Sequence, residues 1–299
     1  MEDAAQQPNT QSLAKPNAQS HPLLDPKNDY VFKRLFADAP PLLIALINAV
    51  RSTEPAIVDL TVLNPRVDAS ELSGKYIVLD IQAQDETGKR YNVEMQVRRF
   101  GAWHARSAFY MARMLSQQLD QGEDYTELKP AVGIHLLDFD LFQAPEQQNQ
   151  AVWCFEMRDR IQPSVRLGKE LQLNLIELRK ADRLGLASQE LKDWTTFFEH
   201  WREESIMANI TYEPVQDALE RLKVLSADEE TRRLAFVRER AQHDEASLLK
   251  EAKEEGEQIG YQKAQIDTIT KMLNAGMAVE EIANILGLSV DQVEQSQHH

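Results

Sequence analysis

The sequence lacks the features of three classes of protein: disulfide-rich, membrane-spanning and secreted proteins. It has one cysteine, Cys154, which cannot form an intrachain disulfide framework and favours a reducing compartment. Its best apolar run, residues 42–50, is far shorter than the roughly 18 residues of a membrane span. The N-terminal segment has no basic-then-apolar signal peptide. These absences predict a cytoplasmic protein with no membrane partner.

Basic residues are also in short supply, and their distribution matters for any nucleic-acid partner. The chain has 33 Lys and Arg against 48 Asp and Glu, for a formal net charge of −15. Phosphate binding needs Lys and Arg, so the total charge alone argues against DNA. However, residues 23–180 carry 19 basic and 22 acidic residues, whereas residues 181–299 carry 13 and 24. The first half is nearly neutral, so it is the part that we expect to contact DNA.

The 42% apolar content is enough for a packed core, and the length predicts about two domains. Composition divides the chain further. The predicted segments are a disordered tail 1–22, an α/β domain 23–182, a helical extension 183–227, a long charged helix 228–266 and a small helix-turn-helix-like region 267–299. Gly256 and Gly260 are expected to interrupt the long helix.

A β-hairpin is predicted within residues 75–97, with Gly88 in the turn. A two-residue turn would place Asp80 opposite Met95 and mix polar with apolar positions. A three-residue loop instead places Asp80 opposite Glu94 and keeps both faces consistent, because opposed residues lie on one side of an antiparallel pair. The predicted shared face consists of Asp80, Gln82, Glu94 and Gln96.

This face has the chemistry that phosphodiester hydrolysis needs. A divalent metal neutralises phosphate charge and generates a nucleophilic water, and Mg²⁺ prefers oxygen ligands. Asp80 and Glu94 would supply two carboxylates, the Met95 backbone carbonyl a third ligand, and Gln96 would orient the water. The alternative is the solvated face of a half-buried sheet.

Residues 103–119 predict a helix that follows the Glu94 strand. Its inward face is predicted to consist of Ala108, Met111, Ala112, Leu115 and Leu119. Arg106, Tyr110 and Arg113 form a separate stripe, which is either a phosphate-facing surface or a solvated helix face. Strand-like runs follow at 131–137, 152–157 and 171–178, and Cys154 within them is predicted to be a small core residue.

A set of short segments carries a resemblance to a known family. These segments are residues 25–36, 78–81, 92–96, 122–130, 137–142, 280–283 and 287–289. Together they resemble the Rpn family of recombination-promoting nucleases and transposases, a branch of the PD-(D/E)XK nuclease superfamily, and the resemblance covers about residues 23–295. It implies a restriction-endonuclease-like α/β fold, a mixed sheet flanked by helices, followed by an all-α C-terminal region.

The resemblance also implies the site residues. Asp80 and Glu94 would be the acids that bind Mg²⁺ or another divalent cation, and Asp29 on the first helix would be a further acid of the catalytic site. A competing interpretation of Asp29 is a helix-start acid stabilised by the dipole. Gln96 occupies the position of the motif's lysine and cannot supply its charge. Lys33, Arg106 and Tyr110 are the predicted substrate-binding residues.

The implied function is metal-dependent endonucleolytic cleavage of DNA that promotes recombination or acts on mobile DNA. The alternative is a catalytically weak or inactive nuclease fold that serves as a DNA-associated regulatory or oligomerising module. The C-terminal region holds one base, Lys271, within residues 267–295. We therefore expect it to contact protein, including a second copy of the chain, rather than a DNA groove.

Overall fold

The computed structural model describes residues 22–64, 80–99, 101, 103–185 and 188–296. These residues form two compact units that divide after Arg238. Within the described chain, the first unit contains every strand and the second is helical. The division into five segments that the sequence predicts is finer than these two units, and it stays a prediction.

Six strands of the described chain form one mixed sheet in the order β1-β2-β3-β4-β6-β5. They are β1 Leu60–Val62, β2 Ile81–Asp85, β3 Arg90–Gln96, β4 Ala131–Leu137, β5 Val152–Glu156 and β6 Leu171–Glu177. β3, β4 and β6 run parallel, and the other pairs are antiparallel. Every residue of β4 is buried, as expected for a central strand that is covered on both faces. The predicted α/β class with a mixed sheet is confirmed.

Helices cover one face of this sheet with a large apolar core. The helices of the first unit are α1 Asp29–Ala37, α2 Pro40–Val50, α3 Trp103–Ser116, α4 Leu178–Leu184, α5 Gln189–His200, α6 Glu204–Met207 and α7 Glu213–Ala227. The predicted break at Pro40 is confirmed, because a proline at the first helical position begins α2. Phe36 of α1 packs 5.4 Å from Trp194 of α5, measured between ring centroids, and both are fully buried. Burial of such side chains contributes about 1.5–3 kcal/mol each and fixes α1 on the sheet.

The inward face of α3 was predicted only in part. Met111 is buried as predicted, but Ala108 and Ala112 are exposed, and Trp103 and Met114 are buried instead. The larger side chains bury more apolar area than alanine does, so they determine the rotation of the helix. The core position predicted for Cys154 is also wrong: β5 lies at the edge of the sheet, and its cysteine is exposed.

The remaining helices are α8 Glu229–Asn274, α9 Val279–Leu286 and α10 Val290–Gln295. α8 continues through Gly256 and Gly260, so the predicted interruption is wrong. Each glycine costs about 1 kcal/mol relative to alanine, which a helix of 46 residues tolerates. The predicted capping box at Ser289 is confirmed at the start of α10. Among the described residues, no helix has the length and apolarity of a membrane span.

Candidate active site

The β2–β3 hairpin has the predicted register. Ile81 pairs with Val93, and the Asp85 N–H donates to the Lys89 carbonyl, which leaves a three-residue loop. Gly88 in this loop has a φ of 87°, a conformation that favours glycine. Asp80 directly precedes β2, so the register carries it to the position opposite Glu94 on β3. The turn chemistry thereby brings two carboxylates to one end of the sheet.

The two carboxylates have different surroundings. Asp80 is half-buried, and its side chain accepts hydrogen bonds from Gln82 Nε2 at 3.2 Å and from Asn64 Nδ2 at 3.4 Å. Glu94 is only 7% exposed, and its Oε1 accepts a hydrogen bond from Gln96 Nε2. Asp80 therefore faces solvent more freely, while Glu94 is enclosed by protein.

A backbone hydrogen bond indicates where the Met95 carbonyl points. The Asp138 N–H donates to the Gln96 carbonyl at 2.8 Å, so the Gln96 C=O faces β4. Because successive residues of a strand direct their backbone groups to opposite sides, the Met95 C=O faces the β2 side, where Asp80 lies. The Met95 carbonyl is the third oxygen ligand that the sequence predicts.

Burial raises the pKa values of both acids. Burial raises the pKa of Glu94 to about 8, with further increases from the charges of Asp80 and Asp29, while Arg106 and the Gln96 hydrogen bond act in the opposite direction. Burial also raises the pKa of Asp80, against the hydrogen bond from Gln82 and the charge of Lys33. Near neutral pH, Glu94 therefore holds its proton when no cation is bound.

The helix α1 places Asp29 and Lys33 near these acids. Both side chains are buried, and the Asp29 carboxylate receives hydrogen bonds from Arg238 Nε at 2.9 Å and Nη2 at 2.7 Å. Asp29 also accepts from the Tyr30 N–H at 2.9 Å, the contact of a helix-start acid. The charge of Asp29 acts on Glu94, and that of Lys33 acts on Asp80. α1 therefore contributes one acid and one base to the electrostatics of the site.

The helix α3 contributes Arg106 from the face of the sheet opposite to α1. Arg106 is half-buried, and its guanidinium lies over the Tyr110 ring at 5.7 Å from the centroid. Its positive charge lowers the pKa of Glu94 and of His135. Tyr110 is 44% exposed, so this pair forms a surface that begins beside Glu94 and extends into solvent.

His135 also lies beside Glu94, and sequence reasoning missed it. It is the β4 residue paired with Glu94, and its Nε2 lies 3.7 Å from Glu94 Oε2. In sequence it lies within the apolar run of β4 and shows no metal-ligand spacing to other histidines. The sequence feature that could have identified His135 was its position in a strand predicted to be buried, where a polar side chain needs a partner.

The comparison with known protein families can now be set beside this geometry. A family model described as PD-(D/E)XK nuclease family transposase matches residues 26–252, more than half of the chain. The chain belongs to this family. No curated protein and no solved structure matches it significantly. The matched range contains α1, the whole described sheet and α3, so the geometry above belongs to the PD-(D/E)XK part of the chain.

PD-(D/E)XK nucleases generally use divalent metal ions, and the residues present fit such an ion. In the described chain, no cluster of three or more His, Cys, Asp or Glu side chains could hold a metal. The oxygen donors that lie at this end of the sheet are the carboxylates of Asp80 and Glu94 and the Met95 carbonyl. Mg²⁺ is commonly held by one or two carboxylates while water and substrate phosphate fill its other positions. A structural zinc site would need four ligands, commonly nitrogen or sulfur.

Proposed function

We propose that the chain is a metal-dependent DNA endonuclease that hydrolyses phosphodiester bonds and promotes recombination or acts on mobile DNA. The observation that carries the proposal is the hairpin register, which brings Asp80 beside Glu94 with Gln96 on the same face. The proposal includes DNA as partner, a cytoplasmic location and self-association through the C-terminal helices. Light scattering on the full-length chain tests the last point, and a monomer at all concentrations would contradict it.

In this proposal Asp80, Glu94 and the Met95 carbonyl hold Mg²⁺ or another divalent cation. When bound, the cation supplies Lewis-acid stabilisation of the phosphate charge and lowers the pKa of a bound water. The protein holds both acids in place through hydrogen bonds, from Gln82 to Asp80 and from Gln96 to Glu94. Burial and its acidic neighbours raise the pKa of Glu94 to about 8. Because a carboxylate binds a metal in its deprotonated form, Glu94 must release this proton to act as a ligand.

The other predicted residues have roles in orientation and substrate binding. Gln96 orients the attacking water through its amide oxygen, since its amide nitrogen donates to Glu94. Lys33 supplies positive charge near Asp80, and Arg106 with Tyr110 binds the DNA backbone beside Glu94. Asp29 acts as a supporting acid of the site, because Arg238 binds its carboxylate while its charge still acts on Glu94.

Nicking of a supercoiled plasmid tests this function. We expect the wild-type chain to nick the plasmid with MgCl₂ but not with EDTA, and Glu94→Ala to lose about 100-fold or more in rate. Glu146→Gln is the matched control, because Glu146 is an exposed acid outside this face. Nicking by Glu94→Ala at the wild-type rate would contradict the proposal.

The second candidate function is a DNA-associated module with a weak or inactive nuclease site. It is favoured by Gln96, because a neutral amide stands where a lysine charge would support the attacking water. The substitution Gln96→Lys separates the two functions. Metal-dependent cutting by Gln96→Lys, together with DNA binding but no cutting by the wild type, would favour the second.

A further inference from the structure

The His135 side chain is buried without a hydrogen bond among the described residues. The residue is 2% exposed, and the Trp103 ring packs edge-on against it with centroids 5.6 Å apart. Neither of its ring nitrogens has a hydrogen-bond partner among the described residues. Burial of an unsatisfied polar group costs about 1–3 kcal/mol, so a hydrophobic residue would be more stable here unless the ring has a partner in the working enzyme.

The Glu94 carboxylate is the acceptor that the fold presents to this ring. Glu94 and His135 are directly paired on adjacent parallel strands, so their side chains leave the same face of the sheet. His135 Nε2 lies 3.7 Å from Glu94 Oε2, which is about 0.8 Å longer than the usual N–H···O distance. Formation of the hydrogen bond requires the two atoms to approach each other by this amount.

A glycine lies beside the ring on the same face of β4. A Cβ built on Gly133 would lie 3.5 Å from His135 Nε2, an ordinary van der Waals distance, but only 2.8 Å from Met111 Sδ. A side chain at this position would therefore displace Met111 of α3 rather than the imidazole. The ring of His135 thus has van der Waals space beside the strand next to Glu94.

We infer that His135 is a positioning residue, whose Nε2–H donates to Glu94 Oε2 when the carboxylate faces a divalent cation. The inference rests on the proposed function. Gln96 already donates to Oε1, so the two donors would bind one oxygen each and fix the plane of the carboxylate. Donors of this kind orient metal ligands and typically change metal affinity 10- to 100-fold.

Calorimetric titration of the full-length chain with MnCl₂ tests the inference. His135→Phe removes the donor but fills the space, whereas His135→Gln keeps an N–H at a similar reach. We expect His135→Phe to weaken Mn²⁺ binding about 10- to 100-fold and His135→Gln to restore most of the affinity. His243→Phe, an exposed histidine on α8, is the control and should bind as the wild type does.

A second readout does not depend on any variant of His135 folding. In nitrogen-15 NMR of the wild-type chain, saturating MgCl₂ should shift the His135 Nε2–H proton downfield as the hydrogen bond forms. The inference is wrong if His135→Phe binds Mn²⁺ like the wild type and the ring proton of the wild type does not shift. The proposed function still stands in that case if Glu94→Ala loses Mn²⁺ binding. If the wild type binds no Mn²⁺, the proposed function and the inference both fail.

Discussion

The raised pKa of Glu94 predicts an unusual dependence of stability on pH when no metal is bound. The pKa of this acid goes from 4.5 to about 8 on folding, so the folded state binds more protons than the unfolded state between these values. Stability therefore falls as the pH rises through this window, which is the reverse of an acid whose pKa is lowered on folding. Each pKa unit corresponds to about 1.4 kcal/mol. Between pH 5 and pH 8, the titration of Glu94 should lower the free energy of unfolding by about 3–4 kcal/mol.

The measurement is urea unfolding in EDTA at several pH values, followed by tryptophan fluorescence, for the wild type and Glu94→Gln. Glutamine keeps the shape of the side chain but does not titrate, so the difference between the two proteins isolates Glu94. The free energy of unfolding of the wild type should fall by about 3–4 kcal/mol more than that of the variant. Adding Mg²⁺ at about 100 times its Kd should raise the free energy of unfolding of the wild type, but not of the variant, by about 2.7 kcal/mol. Parallel curves for the two proteins would refute the reasoning.

Other side chains around the site allow further tests. Arg238→Ala leaves the buried Asp29 carboxylate without its bidentate contact, so the free energy of unfolding should fall by about 3–5 kcal/mol in urea; an unchanged midpoint would contradict this. Gly133→Ala places a Cβ 2.7 Å from Leu173 Cδ1, and thermal unfolding should show a loss of about 1–3 kcal/mol rather than the gain that alanine normally brings to a strand. Arg106→Ala should reduce the slope of log K against log salt for DNA binding by about 0.9, the value for one phosphate contact, and an unchanged slope would exclude Arg106 from the backbone contacts.

Local patterns in the sequence were sufficient for the hairpin and for most elements. The register of Asp80 opposite Glu94 could be derived because loop length and side-chain alternation together allow one arrangement. The boundaries of β4 were predicted as residues 131–137, and the structure has the same ones. These features depend on neighbours in sequence, where turn chemistry and periodicity are strong.

The rest depends on contacts between residues that are far apart in sequence. The pair of Asp29 and Arg238 spans 209 positions and leaves no local pattern. His135 was missed because a strand buried on both faces has no polar and apolar alternation to show which face meets Glu94. Cys154 was assigned to the core because strand order, which places β5 at the edge, cannot be derived from the composition of one strand.

The initial rate of plasmid nicking by purified Asp80→Ala, relative to wild type in saturating MgCl₂, tests the central claim most directly. The claim is that Asp80 and Glu94 together hold the cation that the reaction requires. We predict a loss of about 100-fold or more for Asp80→Ala, with an unchanged midpoint of unfolding in EDTA or a higher one, because the substitution removes a carboxylate that burial disfavours. A folded Asp80→Ala protein that nicks DNA as fast as the wild type would contradict the account.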